Sequence, residues 1–477
     1  MAENTAPLRV AVIGGGFCGA FFAAQLAAYS TTPLAISVIE PRARLGGGVA
    51  YSTEDPAHRV NVPASRMTLF PENPNDFDTW LRQGSELEDD PEAIWQGGAA
   101  FPHRAAFGRY VAELIASRKK TCPHAPITHI RGSAIAVRRE GRDFRLTLQD
   151  DRELSVDMII VATSHPPPGV PERLASALAG DKRLVADPWA PDALAEIPRD
   201  AKVTVIGTGL TMADVVASLD RRGHIGQITA FSRRGQLSRG HAQVPPPVPF
   251  ERFKTMALPV TALGLLQEVR QQVAAATAWP WQSVFDDLRA NGQRIWQRLD
   301  IAEQSRFLRH LRVYWDTHRY RIAPQAEAVL KRKRQDGSLR VLAATLRHVE
   351  PEPEHISLAV QPRHQARDRL VKLIAERVVV TTGPEHGAAI ARNPFLTSMA
   401  AQGLITSDPL GLGLAVDARS HAVDANGVSA PDVFVVGPLA RGRFGELMGL
   451  PQVAEQPDAV AAHIAKWAAT AVSEIFA

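Results

Sequence analysis

Two stretches of the chain share one arrangement of hydrophobic and polar positions. Residues 10–26 read VAVIGGGFCGAFFAAQL, and residues 203–216 read VTVIGTGLTMADVV. In each stretch a short continuous apolar run predicts a buried strand, the glycines after it predict a tight turn, and the apolar spacing beyond them predicts a helix. The sequence therefore predicts two strand–glycine turn–helix units, an arrangement with which many proteins hold a nucleotide.

The rest of the chain alternates between strand patterns and helix patterns. β-Branched residues bounded by glycine and proline predict a hairpin and a buried strand in residues 144–163, and further strands in residues 338–360 and 376–383. Residues 251–331 instead place apolar side chains at i, i+3, i+4 and i+7, which predicts helices. An apolar run from residue 431, a glycine-rich loop and a helix are expected to fold back onto the first domain.

These patterns predict an α/β fold with two Rossmann-like dinucleotide-binding domains and a helical insertion. We expect residues 1–180 and 391–477 to form the first domain. Residues 181–250 and 333–390 are expected to form the second domain, and residues 251–332 the helical insertion.

The composition narrows the classes of function. Lys and Arg number 54 against 50 Asp and Glu, which does not indicate nucleic-acid binding. The two cysteines, Cys18 and Cys122, lie far apart, which argues against a disulfide framework, a metal site, an iron–sulfur cluster and a redox-active dithiol. No apolar run approaches the roughly 18 residues that span a membrane, and no apolar leader precedes the first strand. We therefore expect a cytoplasmic protein that binds neither membrane nor metal, and we leave homo-oligomerisation open.

The first unit has the GxGxxG spacing, with Gly14, Gly16 and Gly19. These glycines allow the backbone to approach a pyrophosphate, to which the N-terminus of the following helix offers unpaired N–H groups. The next strand ends at Glu40, 26 residues after Gly14, where a carboxylate can bind ribose hydroxyls and repel a 2′-phosphate. An ordinary βαβ turn is the alternative. We interpret Cys18, which lies inside this unit, as a small packing residue.

The second unit keeps two glycines, has Met212 in place of the third, and is followed by a strand that ends in Ser-Arg-Arg. The residues concerned are Gly207, Gly209, Ser232, Arg233 and Arg234. Two guanidinium groups at this position suit a 2′-phosphate, which favours NADPH over NADH. The alternative is a solvated turn, with Arg239 and His241 as the phosphate partners.

In the first unit the strand after the glycine turn ends in an acid, and in the second unit it ends in arginines. This difference predicts FAD in the first unit and NADPH in the second. Electrons can then pass between two nucleotides that are held by one chain. A binding module without cofactor chemistry would not need both pockets.

Seven motifs spread over nearly the whole chain carry a resemblance. They are GGGFCG (14–19), RLGGGVAYS (44–52), HRVNVPASRM (58–67), HRAAFGRY (103–110), GTGLTMAD (207–214), YWDTHRYRIAP (314–324) and VVGPLARG (435–442). The chain resembles a family of bacterial FAD/NAD(P)-binding oxidoreductases. That family is related to flavin-dependent amino-acid N-monooxygenases, including those that act on aspartate, and more distantly to ornithine and lysine N-hydroxylases. The resemblance implies FAD beside NADPH and favours oxygenation of a heteroatom.

The resemblance also implies which residues lie at the flavin. It places Gly46, Gly47, Gly48 and Tyr51 along FAD, and Asn61, Val62 and Pro63 near the flavin ring. An Asn amide can hydrogen-bond flavin N5 or a peroxide without carrying charge, and the alternative for this segment is a simple extended turn.

Two positions depart from the pattern of such flavoproteins. In IIVATS (159–164), Thr163 matches the strand end, but Ser164 replaces a glycine. Gly437 is followed by Pro438, where many FAD domains have Asp. We therefore expect an atypical set of FAD contacts. The absence of an FxGxxxHxxxW stretch makes a Baeyer–Villiger enzyme less favoured.

The run FLRHLRVYWDTHRYRIAP (307–324) concentrates arginine and histidine among aromatic residues. On one helix Arg309, Arg312 and Asp316 would share a face, and this cationic wall could hold a substrate carboxylate or the NADPH phosphates. The alternative is a surface helix with Tyr314 and Trp315 buried. Our candidate catalytic residues are Asn61, Arg312 and His318.

The favoured hypothesis is an FAD- and NADPH-dependent monooxygenase. NADPH would reduce FAD, O₂ would form a C4a-hydroperoxide on it, and a nitrogen or sulfur of a small, carboxylate-bearing substrate would be hydroxylated. This chemistry needs no obligatory acid–base pair from the protein. The alternatives are an NADPH-dependent flavin reductase or dehydrogenase that passes electrons to an external acceptor, and a non-catalytic dinucleotide sensor.

Overall fold

The computed structural model describes residues 6–243, 246, 248–366 and 369–475. Within these residues the strands form a six-stranded sheet, a seven-stranded sheet and a smaller three-stranded antiparallel sheet. Each of the two large sheets carries one of the glycine turns.

The N-terminal part of the chain supplies most of the six-stranded sheet and the whole three-stranded sheet. Its strands are β1 (Leu8–Ile13), β2 (Leu34–Ile39), β3 (Ile127–Ile130), β4 (Ala134–Glu140), β5 (Asp143–Leu148), β6 (Glu153–Val156) and β7 (Met158–Val161). Its helices are α1 (Phe17–Tyr29), α2 (Gly48–Tyr51), α3 (Asp76–Gln83), α4 (Glu86–Asp89), α5 (Arg104–Thr121) and α6 (Glu172–Ala177). β1 pairs in parallel with both β2 and β7, and its residues 10–13 are buried. A central strand that is covered on both faces has to be apolar throughout, which explains the VAVI run.

The second large sheet is divided in the sequence by a helical segment. It comprises β8 (Leu184–Val185), β9 (Val203–Ile206), β10 (Ile228–Ser232), β11 (Leu339–Pro351), β12 (Ile356–Pro362), β13 (Val371–Ala375) and β14 (Arg377–Val380), with helix α7 (Leu210–Arg221) between β9 and β10. The spatial order is β13-β12-β11-β10-β9-β14-β8. The strands from β11 to β8 run parallel, whereas β12 and β13 form an antiparallel edge.

Helices fill the segment between β10 and β11. They are α8 (Arg252–Thr255), α9 (Ala262–Ala275), α10 (Trp281–Ala290), α11 (Gly292–Arg298), α12 (Ile301–His310), α13 (Arg312–Arg319) and α14 (Pro324–Gln335). The expectation of one helix through the arginine-rich run was wrong, because the helix breaks at Leu311. Arg309 and Arg312 therefore belong to different helices. The predicted shared face is reduced to Arg312 and Asp316, whose Nε and Oδ2 atoms lie 3.4 Å apart.

The C-terminal part of the chain returns to the first sheet. It contains α15 (Pro394–Ala401), β15 (His421–Val423), β16 (Ser429–Val435), α16 (Arg441–Phe444) and α17 (Gln452–Ile475). β16 pairs in parallel with β7, which completes the order β15-β16-β7-β1-β2-β3. α17 packs against α1, and α5 packs against another side of α1. Because α1 is enclosed in this way, its apolar residues extend all round the helix instead of along one stripe.

Two contacts fix α7 of the second sheet to the first domain. Arg104 of α5 forms a largely buried ion pair with Asp214 of α7, with 2.9 Å between Nη2 and Oδ2. Ser218, also on α7, lies 3.1 Å from His58 Nε2. The predicted fold class, α/β with two dinucleotide-binding domains and a helical insertion, is confirmed. No helix in the part of the chain that the structure describes is long and apolar enough to cross a bilayer.

Candidate cofactor-binding and active site

The first glycine turn depends on its glycines for space. Gly14 has a φ of +102°, and a Cβ there would lie 2.8 Å from the Ala162 carbonyl oxygen. A Cβ on Gly19 would lie 1.9 Å from the Gly14 oxygen. Helix α1 begins immediately after Gly16, and no side chain caps its N-terminus. The first N–H groups of α1 are therefore available to an anion such as a pyrophosphate.

A second glycine segment runs along this turn. The Gly46 N–H donates to the Gly15 carbonyl over 2.8 Å, and a Cβ on Gly48 would lie 2.9 Å from Gly16 Cα. Gly47 caps the short helix α2, which ends at Tyr51. The Tyr51 ring packs on Phe107, and burial raises the pKa of Tyr51 to about 12. Residues 46–48 thus form one wall of a narrow backbone cradle, where the resemblance implies FAD.

Glu40 contacts the turn itself. Its Oε2 accepts a hydrogen bond from the Gly15 N–H over 2.9 Å, and its Oε1 accepts one from Arg42 Nη1 over 2.9 Å. The carboxylate is buried, so these charge-assisted bonds hold the glycine turn in shape. The sequence did not indicate this structural role. The predicted contact of Glu40 with a ribose stays a prediction.

The opposite wall of the first cradle comes from the ends of β7 and β16. Thr163 follows β7, and its hydroxyl is buried without a hydrogen-bond partner among the described residues. Gly437 follows β16 with a φ of +80°, and a Cβ there would lie 2.6 Å from Cys18 Sγ. Pro438 begins a short 3₁₀ turn directly after it. Burial raises the pKa of the Cys18 thiol to about 12, so its role here is packing. An open helix N-terminus, a glycine wall and an orphaned hydroxyl fit a bound dinucleotide.

The second glycine turn leaves space in front of its helix. Gly207 has a φ of +124°, and a Cβ there would lie 2.3 Å from the Thr381 carbonyl oxygen. At Gly209, in contrast, a Cβ would meet no atom within 4 Å. Helix α7 begins after Gly209 without a capping side chain. Met212 is fully buried and fills the place of the third glycine with core packing.

The chain that follows β10 brings a free cation next to this turn. Ser232 Oγ accepts a hydrogen bond from the Gly235 N–H over 3.0 Å and lies 2.8 Å from Thr208 Oγ1. Arg234 lies over the Tyr314 ring, with 4.8 Å to the ring centroid. Arg233 is exposed and has no hydrogen bond or ion pair with any residue that the structure describes. Its guanidinium is therefore available to a phosphate.

The two alternative phosphate partners, Arg239 and His241, differ in their exposure to solvent. Arg239 is exposed, so it stays a candidate. His241 is not a phosphate partner, because its Nε2 donates to the Asn61 carbonyl over 3.0 Å. Burial lowers the pKa of His241 to about 4, so the ring is neutral.

We predict that Gly207 and Gly209 respond differently to substitution by alanine. Gly209→Ala leaves the fold unchanged, since the new Cβ has room, but it raises the KM for NADPH and for NADH by about tenfold because the methyl group meets the pyrophosphate. Gly207→Ala lowers the melting temperature because it forces a positive φ and a clash with Thr381. Steady-state kinetics and thermal unfolding distinguish the two variants. The same changes in KM and in melting temperature for both variants would contradict the inference that Gly209 faces a ligand.

Both glycine turns open towards the same place. Gly14 lies against Ala162 at the end of β7, and Gly207 lies against Thr381 at the end of β14. The two segments continue and meet, since the rings of His165 and His386 are 4.2 Å apart and Pro168 bridges to Pro384. The carboxyl ends of the two parallel sheets are thus adjacent, and this is the edge where α/β proteins bind their ligands.

Three buried side chains and one that is 33% exposed, Arg312, form what we call the buried polar cluster at this junction. Its members are His165, Arg312, His386 and Arg441. Arg312 Nη2 lies 2.9 Å from His386 Nε2, so His386 accepts this hydrogen bond as a neutral ring. Burial and the two nearby guanidinium groups lower the pKa of His386, and they lower the pKa of His165 to about 4. Nδ1 of His386 has no hydrogen-bond partner among the described residues and is free for a ligand, whereas the His165 ring lies near the Pro438 backbone, to which it can donate a hydrogen bond.

These neutral histidines predict a loss of stability in acid. The unfolded chain protonates histidine near pH 6.5, whereas the folded cluster does not, so stability falls as the pH drops below that value. Each of these two histidines lowers the free energy of unfolding at pH 5 by about 2 kcal/mol. We expect His386→Gln, which keeps an acceptor for Arg312, to flatten the dependence of the urea midpoint on pH between 7.5 and 5. An unchanged pH dependence in this variant would contradict the buried neutral ring.

The other predicted catalytic residues lie in two different environments. Asn61 Nδ2 donates to the Arg321 carbonyl over 3.2 Å, which ties the segment of Asn61, Val62 and Pro63 to the end of the insertion. His318 stacks on Phe285, with 4.9 Å between ring centroids, and its Nδ1 lies 2.7 Å from the Tyr314 carbonyl. The structure does not bring His318 into the buried polar cluster, so we assign it a packing role. The reading of Tyr314 as buried was wrong, because 40% of it is exposed.

Sequence reasoning missed three members of the cluster, namely His165, His386 and Arg441. A signal existed for the histidines, since each follows a buried strand of a predicted parallel sheet by a few residues. Arg441 stood in the quoted motif VVGPLARG, but nothing local marked it as buried.

Comparisons with known proteins agree with this geometry. Residues 11–166 match a family described as FAD-NAD(P)-binding. The fold is similar to ornithine hydroxylase from Pseudomonas aeruginosa, with 15% identity, a TM-score of 0.62, and coverage of 97% of this chain and 99% of that one. It is also similar to L-lysine 6-monooxygenase from Pseudomonas syringae, with 15% identity, a TM-score of 0.63, and coverage of 98% and 99%. Bacillithiol disulfide reductase from Bacillus cereus is similar with 15% identity, a TM-score of 0.52, and coverage of 97% and 100%. No curated protein gave a significant match.

The family match over residues 11–166, the two glycine turns and the shared fold identify an FAD-NAD(P)-binding segment within a fold of two dinucleotide-binding domains. The predicted resemblance to this family is confirmed at that level.

Proposed function

Because residues 11–166 match a family described as FAD-NAD(P)-binding, we propose that the chain is an FAD- and NADPH-dependent monooxygenase. It hydroxylates a nitrogen, or a sulfur, of a small carboxylate-bearing substrate with O₂. The observation that carries the proposal is the contact between His165 and His386, which brings the carboxyl ends of both sheets to one crevice. When bound there, FAD would accept a hydride from NADPH and activate O₂.

The chain's own residues position the two nucleotides. Gly14, Gly16 and the N-terminus of α1 would hold the FAD pyrophosphate, and Gly209 with the N-terminus of α7 would hold that of NADPH. Arg233 would bind the 2′-phosphate as a charge-assisted partner. These assignments use backbone groups and one exposed cation that have no competing protein partner in the described residues.

The buried polar cluster would exclude water from the meeting point and orient the substrate. His165 and His386 are neutral, so they can donate hydrogen bonds without adding charge. Arg312 holds His386 in one orientation and adds positive charge that favours an anionic substrate group. Asn61 lies on a segment that is anchored through Arg321, so its amide stays in place during turnover.

Rapid mixing tests the proposal in two steps. The FAD-loaded protein is reduced without oxygen by NADPH or by NADH, and the loss of flavin absorbance is followed. We expect NADPH to reduce the flavin at much lower concentrations than NADH. The reduced protein with bound NADP⁺ is then mixed with oxygenated buffer, and release of H₂O₂ is timed against oxygen consumption.

An oxygenase retains the activated oxygen, so H₂O₂ appears after a lag that exceeds the time of oxygen consumption. Immediate, stoichiometric H₂O₂ would overturn the oxygenase and favour the reductase. A protein that does not bind FAD at all would favour the sensor. Cys18 and Cys122 are both buried free thiols, so a reductase that relays electrons through its own dithiol is not supported.

A further inference from the structure

A cavity lies between the helical insertion and the C-terminal turn of the first domain. Including its opening to solvent the space measures about 570 Å³, but its enclosed volume is only about 60 Å³, and its wall is mainly aliphatic and aromatic. The apolar lining includes Leu288, Ile295, Trp296, Phe307, Trp315 and Leu412. The two charged residues in the wall are Arg441 and Glu446. A wall of this composition binds an apolar body and orients it with few polar groups.

Glu446 is already neutralised within the protein. Its Oε1 accepts hydrogen bonds from Nε and Nη2 of Arg319 over 3.0 and 2.5 Å. Both side chains are almost completely buried. The pair contributes no net charge to the cavity.

Arg441, in contrast, lacks a counter-ion. It is 6% exposed, and its Nε donates weakly to the Gly445 carbonyl over 3.3 Å. It forms no ion pair with a carboxylate in the described part of the chain. Asp316 is near enough to feel the charge of Arg441, but it is bound to Arg312. A buried guanidinium without an anion is costly, so the wall of the cavity is complementary to one negative charge.

We propose that the cavity binds a small carboxylic acid with an aromatic or branched apolar body. The carboxylate pairs with the Arg441 guanidinium, which can bind it through two parallel hydrogen bonds. The apolar body packs among Trp296, Phe307 and Trp315. The single excess charge selects a monoanion over a neutral compound, and the apolar lining selects a bulky acid over a short one.

Binding to the full-length, FAD-loaded protein is measured by calorimetry with three probes. 3-Phenylpropionate has both the charge and the apolar body, 3-phenylpropanamide has the same body without the charge, and acetate has the charge without the body. We expect 3-phenylpropionate to bind at least about tenfold more tightly than either of the others. Equal affinities for the acid and the amide would overturn the proposal.

Three variants test the residues. Arg441→Met is expected to lower the affinity for 3-phenylpropionate at least about tenfold, to that of the amide. Arg443→Met, on the exposed side of the same short helix α16, is expected to leave it unchanged. Leu308→Trp, which keeps Arg441 and fills the cavity from its wall, is expected to weaken 3-phenylpropionate but not acetate. Leu308→Trp therefore remains informative if Arg441→Met does not fold.

The flavin absorbance of each variant separates a substrate site from a cofactor contact. Retention of FAD by Arg441→Met together with loss of acid binding supports the proposal. Loss of FAD by this variant would assign Arg441 to the cofactor and overturn the proposal. Because binding is measured without NADPH or turnover, failure of the acid site and failure of the monooxygenase are distinguishable.

Discussion

Arg319→Met is expected to lower the free energy of unfolding by about 3–5 kcal/mol. The substitution leaves the Glu446 carboxylate buried without its partner, because both members of this ion pair are at most 4% exposed. Urea unfolding, followed by tryptophan fluorescence, measures the change. Trp296, which donates to the Gly442 carbonyl over 2.8 Å, reports directly on this region.

Two comparisons show whether the unpaired charge causes the loss. The double variant Arg319→Met, Glu446→Leu removes both charges and is expected to recover most of the stability, since apolar groups replace a buried pair at little cost. Arg138→Met breaks an exposed pair with Glu140 and is expected to change stability little, because solvent screens that pair. A double variant as unstable as the single one would show that packing, not charge, is responsible.

Arg233→Ala is expected to raise the KM for NADPH by about 10- to 100-fold and to leave that for NADH nearly unchanged. Only NADPH offers the 2′-phosphate, and a charge-assisted hydrogen bond to it contributes about 1.5–3 kcal/mol. Arg233 is the better single test than Arg234, because Arg234 also contacts the Tyr314 ring of the insertion. Initial rates of flavin reduction with both nucleotides measure the effect.

Arg239→Ala is the matched control, since Arg239 is exposed in the same connection. This substitution is expected to change the KM for NADPH and the KM for NADH little. If Arg239→Ala discriminates between NADPH and NADH and Arg233→Ala does not, the 2′-phosphate contact belongs to Arg239. If Arg233→Ala raised the KM for NADPH and the KM for NADH equally, the assignment of NADPH to this site would be wrong.

The parts of this molecule that are encoded locally were predictable from the sequence. The run in β1 had to be apolar because both faces of the strand are covered, and Gly14 and Gly19 had to be glycine because a side chain would collide with backbone atoms. The contacts behind these constraints reach as far as Ala162, but each constraint acts on one short stretch of sequence, so a pattern reveals it. The two glycine turns and the fold class followed from such patterns.

The parts that depend on distant contacts were not predictable in the same way. His165 and His386 lie far apart in the sequence, and they meet only because β7 and β14 end at the same junction. The break at Leu311 separates two helices that the residue spacing allowed to be one. Glu40 was correctly placed at the end of its strand. Its hydrogen bond with the Gly15 N–H, however, depends on how the turn closes in three dimensions.

The late return of the chain to its first sheet has a consequence for biosynthesis. A ribosome releases β7 long before it reaches β16, so one edge of the first sheet has no partner while residues 162–428 are still to be made. The surface of α1 that α17 covers is exposed to solvent over the same period. Nascent chains of this protein therefore present an unpaired strand edge and an apolar helix together until β16 and α17 have been made, and other chains can pair with or bind to both surfaces in that period.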